Sequence, residues 1–401
     1  MFSDDVSIIV VSCAAGCATV LESEIAALGM KVTWRGETAV ETEGTLDDCM
    51  KLNLHLRTGH RVFYMVGGYS GVEHPDDLYE RVVRIPWERY IEQDGYFTVD
   101  VSVDTPSIRN DQFAALRVKD AVADRMREAC GQRPDSGNEV EEGVGLFLHW
   151  TDEDAAVYLN TTGAALSRRG YRVQASQAPM RESLAAAIIL STGWNGEGHF
   201  LNPMCGSATL AIEAAWIATR RAPALLRTEF AFMYLKGFDM AAWRAIRQQA
   251  IGAIRSVLPG KIIASDLDAA AIASARANAE AAGVAECIEF DVCDIANAPV
   301  PEASLDASVI VINPPYGTRM GDTVQLRGLY ADMGAYLKAN AAAYRGFIFT
   351  ASPDLADQVG LSAKQELPFF AGALEARLIE YGGYDRSRRN WKTSDDDATG
   401  S

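Results

Sequence analysis

The strongest constraint on this chain is the regular alternation of helical and strand-like segments from residue 180 onward. Helical patterns lie near 181–192, 208–220, 240–257, 268–282 and 326–340. Strand-like runs lie near 199–202, 261–265, 286–291, 307–312, 345–350 and 374–381. Such alternation predicts a parallel α/β sheet with helices on both faces. Residues 222–258 form a long insertion between the first helix and second strand of that part, with Asp239, Trp243, Ile246, Ile251 and Ile254 spaced for an amphipathic helix.

The texture before residue 180 is different. Residues 1–66 read strand, helix, strand, strand, helix, with Arg35-Gly36-Glu37 as a turn and Thr45 as a helix start. Residues 67–165 continue as an α+β unit. A helix starts at Pro75-Asp76-Asp77, Tyr96–Val103 alternates as a strand, and residues 111–129 carry apolar side chains at helical spacing. A hairpin is expected around Thr151-Asp152-Glu153-Asp154. Residues 7–21 resemble the apolar core of a secretory signal, but Asp4 and Asp5 stand where a signal needs Lys or Arg, so a strand entering a helix is the better reading. The polar tail from Ser387 is expected to fray.

A length of 401 residues predicts two or three domains. The net charge of −17 argues against coating nucleic acid by bulk charge and leaves room only for local basic patches. Seven scattered cysteines without a CxxC pair, and five dispersed histidines, give a metal site no support. Reduced thiols in a cytoplasmic protein are expected, and no apolar run of ~18 residues predicts a membrane span.

Three signals in the α/β part carry chemistry. Leu201–Thr209 (LNPMCGSAT) follows a strand and opens a helix, so small residues let a ligand approach the helix amides. Asp266 ends the second strand, where a carboxylate can accept both hydroxyls of a ribose, while Asp268 reads as a helix cap. Asn313-Pro314-Pro315-Tyr316 follows the apolar run 307–312. Two prolines stop helix and sheet and fix an extended backbone. That presents the Asn313 amide oxygen and the Pro314 carbonyl as paired acceptors, with Tyr316 as a flat plate. The set suits an exocyclic amino group on a base.

Asn-Pro-Pro-Tyr is similar to the signature of S-adenosylmethionine-dependent amino methyltransferases acting on nucleic acid. Together with 163–172 (GAALSRRGYR), 178–187 (APMRESLAAA) and the Pro-Met-Cys-Gly-Ser loop, it resembles the THUMP-domain rRNA methyltransferases, in particular the 23S rRNA guanine-N2 family. The resemblance covers about residues 5–384. It implies a ferredoxin-like unit at 1–66, a THUMP RNA-binding domain at 67–165, a Rossmann-like class I methyltransferase domain with a mostly parallel seven-stranded sheet at 166–385, and a tail at 386–401. It implies S-adenosyl-L-methionine as cofactor and structured RNA, 23S rRNA, as partner. Asn202, Pro203, Cys205 and Gly206 would meet the methionine end of the cofactor, Asp266 the ribose and Asp294 the adenine amine, with Val292 or Cys293 packing nearby. The family loop usually reads Asp-Pro-x-Cys-Gly-Ser-Gly-Thr. Here Asn202 lacks the charge and Ala208 replaces a glycine, which costs roughly 1 kcal/mol if φ is positive there.

Arg168, Arg169 and Arg172, with Tyr171 beside them, form a candidate RNA-binding cluster. Arg220, Arg221 and Arg227 form a second, and Arg386, Arg388 and Arg389 with Trp391 a third. Arg57 and Arg61, read in a helical stretch, fit either an RNA contact or a cap of that helix's end. Three readings compete with guanine-N2 transfer. One is a catalytically silent RNA-binding or assembly protein, favoured by Asn202 and Ala208. Another is a methyltransferase acting on adenine N6 or tRNA guanine. A dinucleotide oxidoreductase fits least, because no GxGxxG follows a first strand.

Overall fold

The computed structural model describes residues 5–108, 110–137, 143–174, 180–301, 305–315, 323–340, 343–372 and 374–382. The first part runs β1 (Ser7–Cys13), α1 (Ala18–Ala27), β2 (Val32–Arg35), β3 (Ala39–Gly44), α2 (Leu46–His55), β4 (Gly59–Tyr69), α3 (Pro75–Val82), β5 (Tyr96–Asp104), α4 (Asp111–Cys130), β6 (Asp135–Gly137), β7 (Val144–Thr151) and β8 (Asp154–Asn160). The signal-like stretch is a strand and a helix. In β1 alternate residues Ile9, Val11 and Cys13 are buried, the period of a half-buried strand. Thr45 caps α2 through a reciprocal pair of bonds with Asp48, a device that contributes about 1 kcal/mol.

These eight strands form one sheet in the order β2-β3-β1-β4-β8-β7-β5-β6. β4 pairs antiparallel with β1 on one side and with β8 on the other. The division expected between residues 66 and 67 therefore falls inside a strand that joins both units.

The second part runs α5 (Glu182–Ser191), β9 (Phe200–Pro203), α6 (Thr209–Ala218), α7 (Met240–Gly252), β10 (Ile262–Asp266), α8 (Ala269–Ala281), β11 (Ile288–Val292), β12 (Val309–Ile312), α9 (Thr323–Asn340), β13 (Arg345–Thr350), α10 (Pro353–Ala356), β14 (Ala363–Ala371) and β15 (Leu374–Tyr381). Its seven strands take the order β11-β10-β9-β12-β13-β15-β14. The first five are parallel, and β15 runs antiparallel to both neighbours. Side chains alternate between two cores: Val309 and Val311 face one, Ile310 and Ile312 the other. A parallel sheet buried on both faces requires such continuous apolar runs. β14 carries Pro368, which its edge position tolerates.

From β9 the chain moves outward one way through β10 and β11, and the other way through β12 and β13. The order reverses between β9 and β12, the switch point at which sheets of this kind open a crevice at the carboxyl ends of their strands.

The insertion 222–258 packs onto the first part of the chain, against α2 and the loops around it. Its amides donate from Ala224 to Leu54 O (3.3 Å), from Phe232 to Thr161 O (3.0 Å) and from Lys236 to Tyr90 O (2.9 Å). Phe230 and Phe232 stack on each other and meet Trp243 edge-on, with ring centroids 5.0–5.4 Å apart, as part of the main core. Among the described residues no helix is long and apolar enough to cross a membrane.

Candidate functional site

The crevice collects the residues singled out above. Asn202, on β9, is buried. Its Nδ2 donates to Val311 O on β12 (3.0 Å), and its Oδ1 is buried without a partner among the described residues. The residues after Pro203 turn sharply through left-handed backbone at Met204 (φ 58°), Gly206 (φ 54°) and Ala208 (φ 62°). For Ala208 the positive φ is real, so the strain of about 1 kcal/mol is real too.

The end of β10 holds this loop in place. Cys205 N donates to Ser265 O (2.9 Å), and Gly206 N donates to an Asp266 carboxylate oxygen (2.9 Å). The other Asp266 oxygen accepts from Asp268 N (3.0 Å), and Asp268 caps α8 as expected. Each Asp266 oxygen thus keeps acceptor capacity for a ligand. Asn278 on α8 is a member that sequence reasoning missed. Its Nδ2 donates to Ser207 O (3.3 Å) and Gln174 O (3.1 Å), while its Oδ1 accepts from Val173 N and Gln174 N. All its hydrogen-bonding capacity is spent on pinning the loop to the preceding linker.

Asp294 is exposed, follows β11, and caps a short turn through Ala296 N (2.9 Å). Val292 pairs in register with Asp266. Leu267 and Val292 are large apolar residues left 71% and 49% exposed beside these two carboxylates. Leu267 was not anticipated. An apolar surface edged by carboxylates suits a flat, amine-bearing heterocycle. Burial and the nearby Asp266 carboxylate push the Cys205 thiol well above the ordinary range, so it stays protonated. Asn313 follows β12 half-buried, Pro314 is buried and Pro315 exposed. Tyr316 lies outside the described residues, as do Arg386, Arg388, Arg389 and Trp391.

The arginine cluster at the junction of the two parts divides. Arg169 is fully buried and gripped by Glu213 of α6 at 3.1 and 3.3 Å. It also donates to Leu166 O (3.2 Å) and Arg57 O (2.6 Å). Burial works against its charge, but Glu213 outweighs that and holds it protonated. This corrects the RNA-binding expectation for Arg169, whose guanidinium is a structural cation. Tyr171 is corrected likewise: it is buried, bonded to Glu213 (3.2 Å) and packed edge-on against Trp216. Arg57 caps not its own helical stretch but α6, donating to Trp216 O in its last turn and to Arg221 O just beyond (3.3 and 2.8 Å). Arg61 lies on β4, not in the expected helix, and donates to Gly163 O, while Arg227 donates to the carbonyls of Thr162, Ala164 and Ala165. Arg172 is half-buried, paired with Glu182 (3.0 Å) and bonded to Met180 O and Thr209 Oγ1. Arg168 is exposed. No group of residues suited to a metal ion occurs among those described.

Comparison with known proteins matches three family models. Residues 169–379 match an RMKL-like methyltransferase domain, residues 8–63 an RlmL ferredoxin-like domain, and residues 73–142 a THUMP domain. A curated ribosomal RNA large subunit methyltransferase K/L from Syntrophotalea carbinolica is 35% identical over 373 residues, 91% of this chain and 52% of that protein. The chain spans about half the length of the curated relatives it matches. Among solved structures, SMU.472, crystallised in complex with SAH, superposes with a TM-score of 0.85 at 27% identity, covering 96% of this chain and 100% of that one. A predicted N6-adenine-specific DNA methylase from Listeria monocytogenes reaches the same TM-score at 29% identity, covering 95% and 97%. The strand order, the crevice at its reversal and these matches agree: the chain belongs to the RMKL-like methyltransferase-domain family, with the fold that binds S-adenosyl-L-methionine.

Proposed function

We propose that this chain transfers a methyl group from S-adenosyl-L-methionine to an exocyclic amine of an RNA base, guanine N2 of 23S rRNA: the large-subunit rRNA methyltransferase names of its relatives support the RNA, and the Asn313-Pro314 acceptor pair supports the amine. The carrying observation is the Asn202 Nδ2 to Val311 O bond, which ties the strand entering the loop to the strand that ends at Asn313. Cofactor loop and amine acceptors are thereby held by adjacent strands at one crevice.

The residues present fit the cofactor. Asn202 offers a buried acceptor without a partner, Asp266 has spare acceptor capacity at a strand end, and Leu267 and Val292 offer apolar surface. In this reading Asn202, Pro203, Cys205 and Gly206 receive the methionine end, Asp266 the ribose hydroxyls and Asp294 the adenine amine. The cofactor supplies a methyl group on a cationic sulfur, already strongly electrophilic. The protein's work is alignment. Asn313 Oδ1 and Pro314 O accept the two N–H groups of the target amine, orient its lone pair and stabilise the charge that develops on nitrogen. Pro315 keeps that backbone rigid, and Tyr316 stacks on a base drawn out of its RNA. The proton leaves to water after transfer, because a methylated arylammonium is acidic. Residues 1–66 and 67–165 serve as the RNA-gripping module, and 166–385 as the catalytic domain.

Calorimetric titration with S-adenosylmethionine, with Asp266→Ala as control, tests the site. Micromolar binding abolished in the variant is expected. Mass analysis of nucleosides from treated 23S rRNA then tests the target. N2-methylguanosine is expected, and N6-methyladenosine would overturn the choice of base, since both amines present two N–H donors.

A further inference from the structure

We propose that a cavity at the junction of the two parts, lined by Arg168, Arg172 and Arg181, is a binding site for a backbone phosphate of the RNA substrate. This rests on the RNA reading above and gives that reading a location. The cavity measures about 550 Å³ and is walled by the linker residues 165–172 and the start of α5. Its charges do not balance. Arg169, in its wall, is neutralised by Glu213, and Arg172 by Glu182, a carboxylate that also lines the cavity. Arg168 and Arg181 are exposed, and neither has an ion-pair partner among the described residues. Two uncompensated guanidinium groups thus share one concavity on a chain of net charge −17.

The surroundings report the same field. Arg227 is pushed down to about 10 by burial and by the neighbouring charges of Arg169 and Arg168. His60 is held below its ordinary range by burial and by Arg181, Arg61 and Arg169. A doubly charged cavity of this kind is relieved by an anion, and planar guanidinium forks match phosphate oxygens pairwise. The ten-residue α5 also opens here, without a side-chain cap from Arg181, so its dipole adds to the attraction. The cavity abuts the catalytic crevice. Arg172 bonds Thr209 Oγ1 at 3.3 Å, and Thr209 is the first residue of α6 after the loop. A strand whose phosphate sits here is delivered to the methyl donor's side of the domain.

The test is the salt dependence of binding to a transcribed large-subunit rRNA fragment, comparing wild type with Arg168→Gln/Arg181→Gln. Both side chains are exposed, so the variant should fold, and unchanged calorimetric affinity for S-adenosylmethionine verifies it. Wild-type binding should weaken steeply with salt. The variant should bind about tenfold or more weakly at low salt, with a log–log slope shallower by roughly 0.7–0.9 per lost phosphate contact. Equal affinity and equal slope would overturn the site. Micromolar binding of inorganic phosphate, abolished in the variant, would reassign the cavity to a small anion and also overturn it. A wild type that binds the cofactor but no RNA would instead sink the RNA reading itself, and the site with it.

Discussion

The two ends of α6 are opposites. At its carboxyl end, Arg57 donates to Trp216 O in the last turn and to Arg221 O just beyond it, and beneath the helix Arg169, Glu213 and Tyr171 close a buried network. At its amino end the chain enters through strained left-handed residues, and Asn202 Oδ1 is buried without a partner among the described residues. Folding alone rewards the first arrangement and penalises the second. One end is architecture, holding the first part of the chain to the second. The other keeps an unsatisfied acceptor for a ligand to complete.

The sharpest way to break that contrast is Glu213→Ala. It leaves Arg169 buried without a counter-charge, which should destabilise the chain by about 3–5 kcal/mol. Urea denaturation measures this, and a loss under 1 kcal/mol would show that the sealed end is not sealed. Replacing both partners, Arg169→Met with Glu213→Leu, should recover most of the stability, because the cost lies in the orphaned charge rather than in the missing bond.

One strand across, Asn313→Ala should lower kcat by about 100-fold while cofactor affinity and stability stay near wild type. Single-turnover kinetics with RNA check it. A matching loss of cofactor affinity would place Asn313 among the loop's supports instead of at the target amine.

How much of this was legible in the sequence follows from the distances along the chain. Strand-end motifs such as Asn202–Gly206 and Asn313–Pro315 read well because each is a run of neighbours placed by one strand. The parallel strands read well because burial on both faces leaves unbroken apolar runs. β4 and β14 were not legible: Gly67 and Gly68 interrupt one and Pro368 the other, and only pairing with neighbouring strands restores them. Arg169 misled for the same reason. Beside Arg168 it looks like half of a surface patch, and its partner Glu213 stands 44 residues away. Pairing that only the fold creates cannot be read from spacing.

Asn202→Ala sharpens the contrast at the open end. The variant gives up the bond to Val311 O, about 1 kcal/mol of stability. It also removes the buried acceptor, so cofactor affinity should fall about tenfold, some 1.4 kcal/mol. Parallel calorimetry and denaturation separate the two. A large stability loss with unchanged affinity would make Asn202 architecture as well, and the ends of α6 would no longer differ in kind.

The smallest effect asked for is that of Ala208→Gly, which restores the family's usual residue. Glycine relieves left-handed strain of about 1 kcal/mol, since Ala208 sits at φ 62° and ψ 30°. The lost methyl group is fully buried, however, and burying such a group contributes about 0.8 kcal/mol. The two nearly cancel, so stability should move by well under 1 kcal/mol. Cofactor affinity should stay within about twofold, because the loop already holds the left-handed turn: Ala208 N donates to Cys205 O at 2.8 Å, and Gly206 N is fixed on Asp266. A tenfold gain in affinity would mean that the alanine strain is relieved in solution by a loop that leaves this geometry and must be drawn back by the ligand. The departure at Ala208 would then be a real weakening of the cofactor site, whereas a near-neutral result makes it a strain that the folded chain carries whether or not the site is filled.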